Sequence, residues 1–237
     1  STASPGRNLG KGGSPRYSGL VPEPDKMTAD LDLLVRARYP LLALLTYEER
    51  RASDLLGALA RRQKKNLLQW DVNDGLRLVE GPHHQPLNDP LKEPLEVLRA
   101  IVQFTPPSFY ILKDFHPYLK RPEVARQLRD CAYALQRSFK TVFLLSPEME
   151  LPVELEKAVT LVDLPVPDEA AMGKLFEDFL GGARKHERVR VDLNPADRER
   201  IVRGVMGLTL EEAERVFSRA LLKDLKIDGG DVSAVLE

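Results

Sequence analysis

The chain has only one cysteine, Cys131, among its 237 residues. A single thiol excludes an intrachain disulfide and a four-cysteine zinc site, and it fits a reducing compartment, so we expect a cytoplasmic protein. No apolar run reaches the length of a membrane-spanning helix, and no membrane partner is expected. The formal net charge of -1 gives no overall field that would attract nucleic acid.

The first 27 residues are rich in glycine, serine and proline, with scattered basic residues and little to bury. This composition predicts a flexible tail over residues 1–27. Its Gly6–Lys11 stretch superficially resembles a phosphate-binding loop. The stretch is one residue short between its glycines, Gly12 replaces the required serine or threonine, and no strand precedes it. We therefore interpret it as linker.

Residues 28–166 alternate between short apolar runs and amphipathic segments. The apolar runs predict five strands, and the amphipathic segments predict helices between them. This order predicts an α/β fold: a five-stranded, mainly parallel sheet with helices on both faces. Residues 78–94, with their prolines and histidines, predict a loop. The predicted strands are Pro40–Leu45, Asn66–Val72, Ser108–Lys113, Thr141–Leu145 and Val159–Leu164.

The pattern changes after Pro165 and Pro167, and residues 167–237 predict a small all-helical unit. Asp168 and Asn194 are suited to cap two helices, and Thr209 with Glu212 forms the pattern of a capping box. We expect a helical lid following the α/β layer.

Four stretches resemble motifs of AAA+ ATPases, in the order that this superfamily has them. Phe109–Asp114 resembles the Walker B strand, and Lys140–Ser146 resembles the sensor 1 strand. Leu161–Asp168 is similar to the last core strand and the entry to the lid, and Gly207–Phe217 is similar to a lid helix. The resemblance implies a P-loop-NTPase-like sheet with a lid, and it implies AAA+ assembly into a ring or homo-oligomer.

Three further stretches resemble the plastid-encoded uncharacterised AAA protein family: Leu112–Leu119, Leu128–Asp130 and Ser146–Pro152. The resemblance implies a degenerate AAA-like half that precedes a catalytic AAA half. Because the chain starts at Ser1 without methionine and stops at Glu237 after a lid-like helix, we expect a fragment of a longer protein, and that protein could be an ATPase. An active AAA domain, in cis or in trans, is then the expected partner.

The resemblance places Asp114 at the magnesium-holding Walker B position and Ser146 at sensor 1, both as vestigial nucleotide-binding positions. Phe115 stands where the family has the glutamate that orients water, so no general base is expected. The residues also permit structural roles. Asp114 could cap the turn Asp114–Pro117 with its own side chain, and Ser146, before Pro147, could be a turn residue.

The motif GxxxxGK(S/T), which cradles phosphates, is absent from the chain. After the first strand the sequence reads Thr46-Tyr47-Glu48-Glu49, without a glycine. The spacing predicts a capping box between Thr46 and Glu49, and the two carboxylates would repel a triphosphate. The alternative is that Arg50 and Arg51 bind phosphate in another way.

An arginine finger would lie between sensor 1 and the last core strand, but residues 147–158 contain no arginine and four glutamates. No catalytic residue is therefore predicted in this chain. We expect a non-hydrolysing module that acts structurally or in regulation, without a cofactor of its own, while ATP and Mg²⁺ could bind a following domain. One alternative is an AAA ATPase module with an atypical nucleotide site. Another is a nucleic-acid-binding adaptor that uses Arg61–Lys65, although nucleic acid is not the expected partner.

The remaining reactive residues predict no further site. His83 and His84 are adjacent in a loop, and the other two histidines are distant in sequence, so the spacing predicts no zinc or other metal site. Cys131 is expected in the core, on the apolar face of a helix. Trp70 has no neighbouring aromatic residue, which argues against a stacking platform for single strands.

Overall fold

A computed structural model describes residues 26–83, 90–186, 188–228 and Gly230. The described residues form seven α-helices, a 3₁₀ turn at His116–Lys120 and eight strands. The helices are α1 (Lys26–Arg36), α2 (Glu49–Arg62), α3 (Pro94–Gln103), α4 (Pro122–Leu135), α5 (Glu169–Ala183), α6 (Pro195–Gly204) and α7 (Leu210–Asp224). The strands are β1 (Leu41–Leu45), β2 (Asn66–Trp70), β3 (Arg77–Glu80), β4 (Ser108–Lys113), β5 (Thr141–Ser146), β6 (Val159–Asp163), β7 (Arg190–Asp192) and β8 (Lys226–Asp228).

Six strands form one sheet in the order β3-β2-β4-β5-β1-β6, and only β3 is antiparallel to its neighbour. The predicted α/β fold with a mainly parallel sheet is confirmed. The predicted count of five strands is wrong, because β3 begins just before the predicted loop and continues into it. Its four residues alternate between exposed and half-buried, as an edge strand does, and they give no continuous apolar run.

Helices cover both faces of the sheet over two separate apolar clusters. One cluster lies under α3 and α4 and contains Trp70, Tyr110 and Leu128. The other lies under α1 and α2 and contains Leu56 and Phe109. Alternate residues of β4 face opposite clusters, as the twofold period of a strand requires.

The lid-like region has its own apolar cluster, in which the rings of Phe176 and Phe217 lie 4.8 Å apart. The three helix caps predicted in this region are present. Asp168 accepts the Ala171 N–H, Asn194 accepts the Asp197 N–H, and Thr209 forms the capping box. The region is not all-helical, however, because β7 and β8 form a short parallel pair. Three residues per strand are too few to produce a readable period.

The predicted tail, residues 1–27, lies outside the described residues except for Lys26 and Met27, which begin α1. Within the described ranges, no helix is both long and apolar enough to cross a membrane.

Candidate functional site

The carboxyl ends of the central parallel strands meet at one edge of the sheet. Leu45 of β1 pairs with Ser146 on one side and with Asp163 on the other, and Lys113 of β4 pairs with Leu145. Ligands of open α/β sheets bind at this edge. The residues that the sequence placed at nucleotide positions therefore lie on adjacent strand ends.

Helix α2 begins directly after β1, at the place of a phosphate-binding loop. Glu48 is its N-cap residue, but its side chain does not cap the helix. The Glu48 N–H donates to the Thr46 hydroxyl at 3.0 Å, and the Glu49 carboxylate pairs with Lys113 at 2.9 Å. The predicted capping box between Thr46 and Glu49 is wrong, because both side chains have other partners.

The Glu48 carboxylate connects the α/β layer to the lid region. One oxygen accepts the Leu210 N–H at 2.8 Å, and the other accepts from Arg51 Nη1 at 2.6 Å. Arg51 Nη1 also donates to the Pro165 carbonyl at 2.6 Å. The Glu48 side chain is only 6% exposed, so its charge depends on these partners. Sequence reasoning missed this role.

Leu210 is the first residue of α7, at the positive end of the helix dipole. The N–H groups of Thr209 and Glu212 are satisfied locally, since these two residues cap each other. The Leu210 N–H is instead satisfied by Glu48 of the α/β layer. A carboxylate therefore lies where the core faces a helix N-terminus of the lid region.

Asp114 is exposed and has a φ of 47°, in the left-handed region that aspartate tolerates better than most residues. Its N–H donates to the Leu145 carbonyl at 2.9 Å, which holds it beside the end of β5. Among the described residues, no hydrogen bond to its carboxylate is found, so the predicted side-chain cap of the turn is not formed. The next residue, Phe115, is fully buried with its ring 5.2 Å from Trp70.

Ser146 is 1% exposed, and its hydroxyl donates to the Glu148 carbonyl in the turn after β5. The hydroxyl proton of Ser146 is therefore donated within the same turn. The 147–158 segment that follows contains four glutamates and no arginine, and it runs from this edge back to the opposite edge, where β6 begins.

A cavity of about 240 Å³ lies between α2, α5 and α7. Neither Asp114 nor Ser146 lines it. Five of its lining residues are acidic and three are basic, which disfavours a strongly anionic ligand. The acidic residues are Glu48, Asp54, Asp178, Glu211 and Glu214, and the basic residues are Arg50, Arg51 and Lys174.

The basic run at the end of α2 is largely engaged within the fold. Arg61 pairs with Glu80 at 2.6 Å and Arg62 pairs with Asp32 at 2.9 Å. Lys65 is buried, with its ammonium 4.5 Å from the centre of a phenylalanine ring, and burial lowers its pKa to about 8. Of the four basic residues in this run, Arg61 and Arg62 are paired, Lys65 is buried and Lys64 is exposed.

The described part of the chain contains no group of three or more histidine, cysteine or acidic residues placed to hold a metal ion. His84 lies outside that part. Cys131 is buried in the core as predicted, and burial raises the pKa of its thiol to about 12. A thiol of this kind is a packing group.

Comparison with models of protein families identifies the family to which the chain belongs. A family described as "SpoVK-like AAA ATPase, N-terminal domain" matches residues 27–164, more than half of the chain. The chain belongs to the SpoVK-like AAA ATPase family. The second domain of the same family, "SpoVK-like AAA ATPase, second domain", matches residues 170–237. The predicted resemblance to AAA+ proteins is thereby confirmed.

The SpoVK-like chain is also similar to two proteins named "Uncharacterized AAA domain-containing protein ycf46". It is 28% identical to the one from Guillardia theta over 86% of its own length, and 26% identical to the one from Trieres chinensis over 89%. These alignments cover 39% and 41% of the relatives. The chain therefore spans about two-fifths of the length of these relatives, and the resemblance to plastid-encoded AAA proteins is confirmed.

Solved structures agree on the fold of this SpoVK-like chain. A RuvB variant of Thermotoga maritima has a TM-score of 0.55 at 13% identity, over 90% of this chain and 68% of that one. Caenorhabditis elegans PCH-2 has a TM-score of 0.56 at 11% identity, over 88% and 66%. Domain III of the Thermotoga maritima replication initiation protein DnaA has a TM-score of 0.53 at 13% identity, over 91% and 92%. The P-loop-NTPase-like architecture of AAA+ proteins is the shared feature.

Proposed function

We propose that this chain is a non-hydrolysing AAA-type module that acts structurally or in regulation within an AAA ATPase assembly. The observation that carries the proposal is the position of the Glu48 carboxylate, bonded to Arg51 and to the Leu210 N–H. In this proposal an internal carboxylate connects the α/β layer to the lid, in the place where a nucleotide would connect them.

The chemistry of the surrounding residues supports the proposal. Phosphates bind helix N-termini through free N–H groups in glycine loops, and here Glu48 and Glu49 bring negative charge to the N-terminus of α2. Phe115 occupies the position of the water-orienting glutamate, but its side chain has no carboxylate and is packed in the core. The residues present do not fit a triphosphate, and no catalytic step is assigned to them.

In the same proposal, residues 28–166 act as the core and residues 167–237 as the lid of the module. The partner is an active AAA domain in cis or in trans, within a ring or homo-oligomer, and ATP with Mg²⁺ binds to that domain. The greater length of the relatives is consistent with such a domain.

Isothermal titration of the chain with Mg-ATP tests the proposal, with Asp114→Ala as the companion variant. We expect no binding heat with either protein. Micromolar binding that Asp114→Ala abolishes would overturn the proposal, because it would require a working magnesium position. Circular dichroism of the variant checks that it remains folded.

A further inference from the structure

A second surface lies at the opposite edge of the sheet, where the strands begin. An open groove of about 590 Å³ runs between the turn after α1, one side of α4 and the segment that enters β6. With about 3.3 Å per residue, a five-residue strand separates the groove from the carboxyl edge by roughly 17 Å. We name it the basal groove, and its lining includes Arg38, Tyr39, Arg129, Tyr133, Glu154 and Lys157.

The cations of the basal groove have no carboxylate partner in the part of the chain that the structure describes. Within the described residues, Arg38, Arg129 and Lys157 form no ion pair, and Glu154 is the one acidic residue of the lining. Arg126 lies on the same helix, α4, as Arg129, but it pairs with Asp130 at 2.6 Å. The groove therefore presents a net positive charge that the described residues do not neutralise.

Aromatic side chains are exposed beside these cations. Tyr39 is 41% exposed, Tyr133 is 56% exposed and the adjoining Phe139 is 61% exposed. The Arg38 guanidinium lies 5.1 Å from the centre of the Phe139 ring, and that of Arg129 lies 5.9 Å from Tyr133. Aromatic residues and arginine are the types enriched in protein–protein interfaces.

The backbone conformation of Arg38 is uncommon for a residue other than glycine. Arg38 has a φ of 63°, at the end of α1, where glycine is the usual residue. A non-glycine residue in this region is strained, because its Cβ lies too close to a carbonyl oxygen of the backbone. The residue at this position is an arginine, and it is one of the residues that line the basal groove.

We propose that the basal groove binds an acidic segment of a partner protein, with an apolar side chain of that segment lying against the exposed aromatic rings. Carboxylates suit the unpaired guanidinium and ammonium groups, through charge-assisted hydrogen bonds. A single-stranded nucleic acid fits less well, because Arg38 and Arg129 already lie over two of the ring faces on which bases would stack. This surface is separate from the core–lid contact and does not depend on its role.

Fluorescence anisotropy with the full chain tests the proposal. The probe is a short fluorescein-labelled peptide in which glutamates alternate with leucines. A peptide with lysine in place of glutamate and a labelled oligothymidine are the rival probes. We expect the acidic peptide alone to bind, with an affinity that falls as salt rises.

The double variant Arg129→Ala/Lys157→Ala should weaken that binding about tenfold, since two charge contacts are lost. Arg126→Ala, on the same helix but outside the groove, should change it less than twofold. Equal binding to the double variant and the parent chain would overturn the proposal, as would no binding of the acidic peptide at low salt. Groove-dependent binding of oligothymidine, or self-association of the chain that the double variant abolishes, would assign the groove to another occupant.

Discussion

The Glu48 carboxylate and the Leu210 N–H, separated by 162 residues of sequence, are joined by a hydrogen bond of 2.8 Å. Glu48 lies at the start of α2 and Leu210 at the start of α7, so this bond connects two helix N-termini from different parts of the chain. Arg51 supports the same carboxylate at 2.6 Å. The contact holds the N-terminus of α7 against the N-terminus of α2.

Removal of that side chain should therefore destabilise the protein. We expect Glu48→Ala to lower the free energy of unfolding by about 1.5–3 kcal/mol, because it leaves Arg51 and the Leu210 N–H without their partner. Urea unfolding measures the change, and hydrogen exchange at the Leu210 amide should become faster. Glu211→Ala is the control, because Glu211 is exposed and only weakly paired with Arg215 at 3.6 Å. Equal stability of Glu48→Ala and the parent chain would contradict the assigned contact.

Lys140 joins the beginning of β5 to the end of α3. Its ammonium donates to the carbonyls of Ile101, Val102 and Phe104 at 2.8, 3.0 and 2.6 Å. Lys140→Met keeps the length of the side chain but removes every donor, so we expect a loss of about 1–3 kcal/mol in the free energy of unfolding. Thermal unfolding checks this value. Lys120→Met, at an exposed site, should change the stability by less than about 0.5 kcal/mol.

Lys65 should make stability depend on pH. Its pKa is about 8 in the folded protein, below the ordinary value of 10.5, because burial disfavours the charged form. Between these two values the unfolded chain binds more protons, so the free energy of unfolding should rise with pH, by at most about 1.4 kcal/mol per unit. Urea unfolding between about pH 8 and pH 10 is the measurement, since this range lies between the two pKa values.

The matched variants for this prediction are Lys65→Met and Lys64→Met. Lys65→Met should lack the rise, whereas Lys64→Met, at the exposed neighbouring position, should retain it. Parallel pH profiles of the two variants would contradict a role for Lys65.

Cys131 should be unreactive in the folded protein. Its side chain is fully buried, and burial raises the pKa of the thiol to about 12, so almost no thiolate exists at pH 8. We expect a thiol reagent to label the native chain slowly and to label it completely in guanidinium chloride. Rapid stoichiometric labelling of the native chain would show that α4 opens readily.

The α/β layer could be predicted from the sequence because most of its strands are continuous apolar runs. Runs such as Pro40–Leu45 are buried on both faces and stay apolar throughout, and the caps at Asp168, Asn194 and Thr209 are local patterns. The strand β3 escaped prediction because an edge strand of four residues needs no continuous apolar run. The pair β7 and β8 escaped because each strand has only three residues.

The candidate site was harder to predict than the fold. Thr46 and Glu49 have the spacing of a capping box, yet Glu49 pairs with Lys113, which is distant in sequence. The role of Glu48 depends on Leu210, which lies 162 residues away in sequence, and no local sequence pattern predicts such a contact. The resemblance to AAA+ motifs suggested which strand ends to consider, and tertiary contacts determine what the side chains there bond to.

The single tryptophan of the chain, Trp70, lies fully buried in β2, with the rings of Phe115 and Tyr118 at 5.2 and 5.8 Å. All three side chains belong to the α/β layer or pack on it, and none lies in the apolar cluster of the lid region. The intrinsic fluorescence of this protein is therefore an optical signal of the sheet alone. An unfolding curve recorded by tryptophan fluorescence follows the α/β layer. A second curve, recorded by far-ultraviolet ellipticity, also includes the helices after Asp168. The difference between the two curves measures how independently the lid region unfolds.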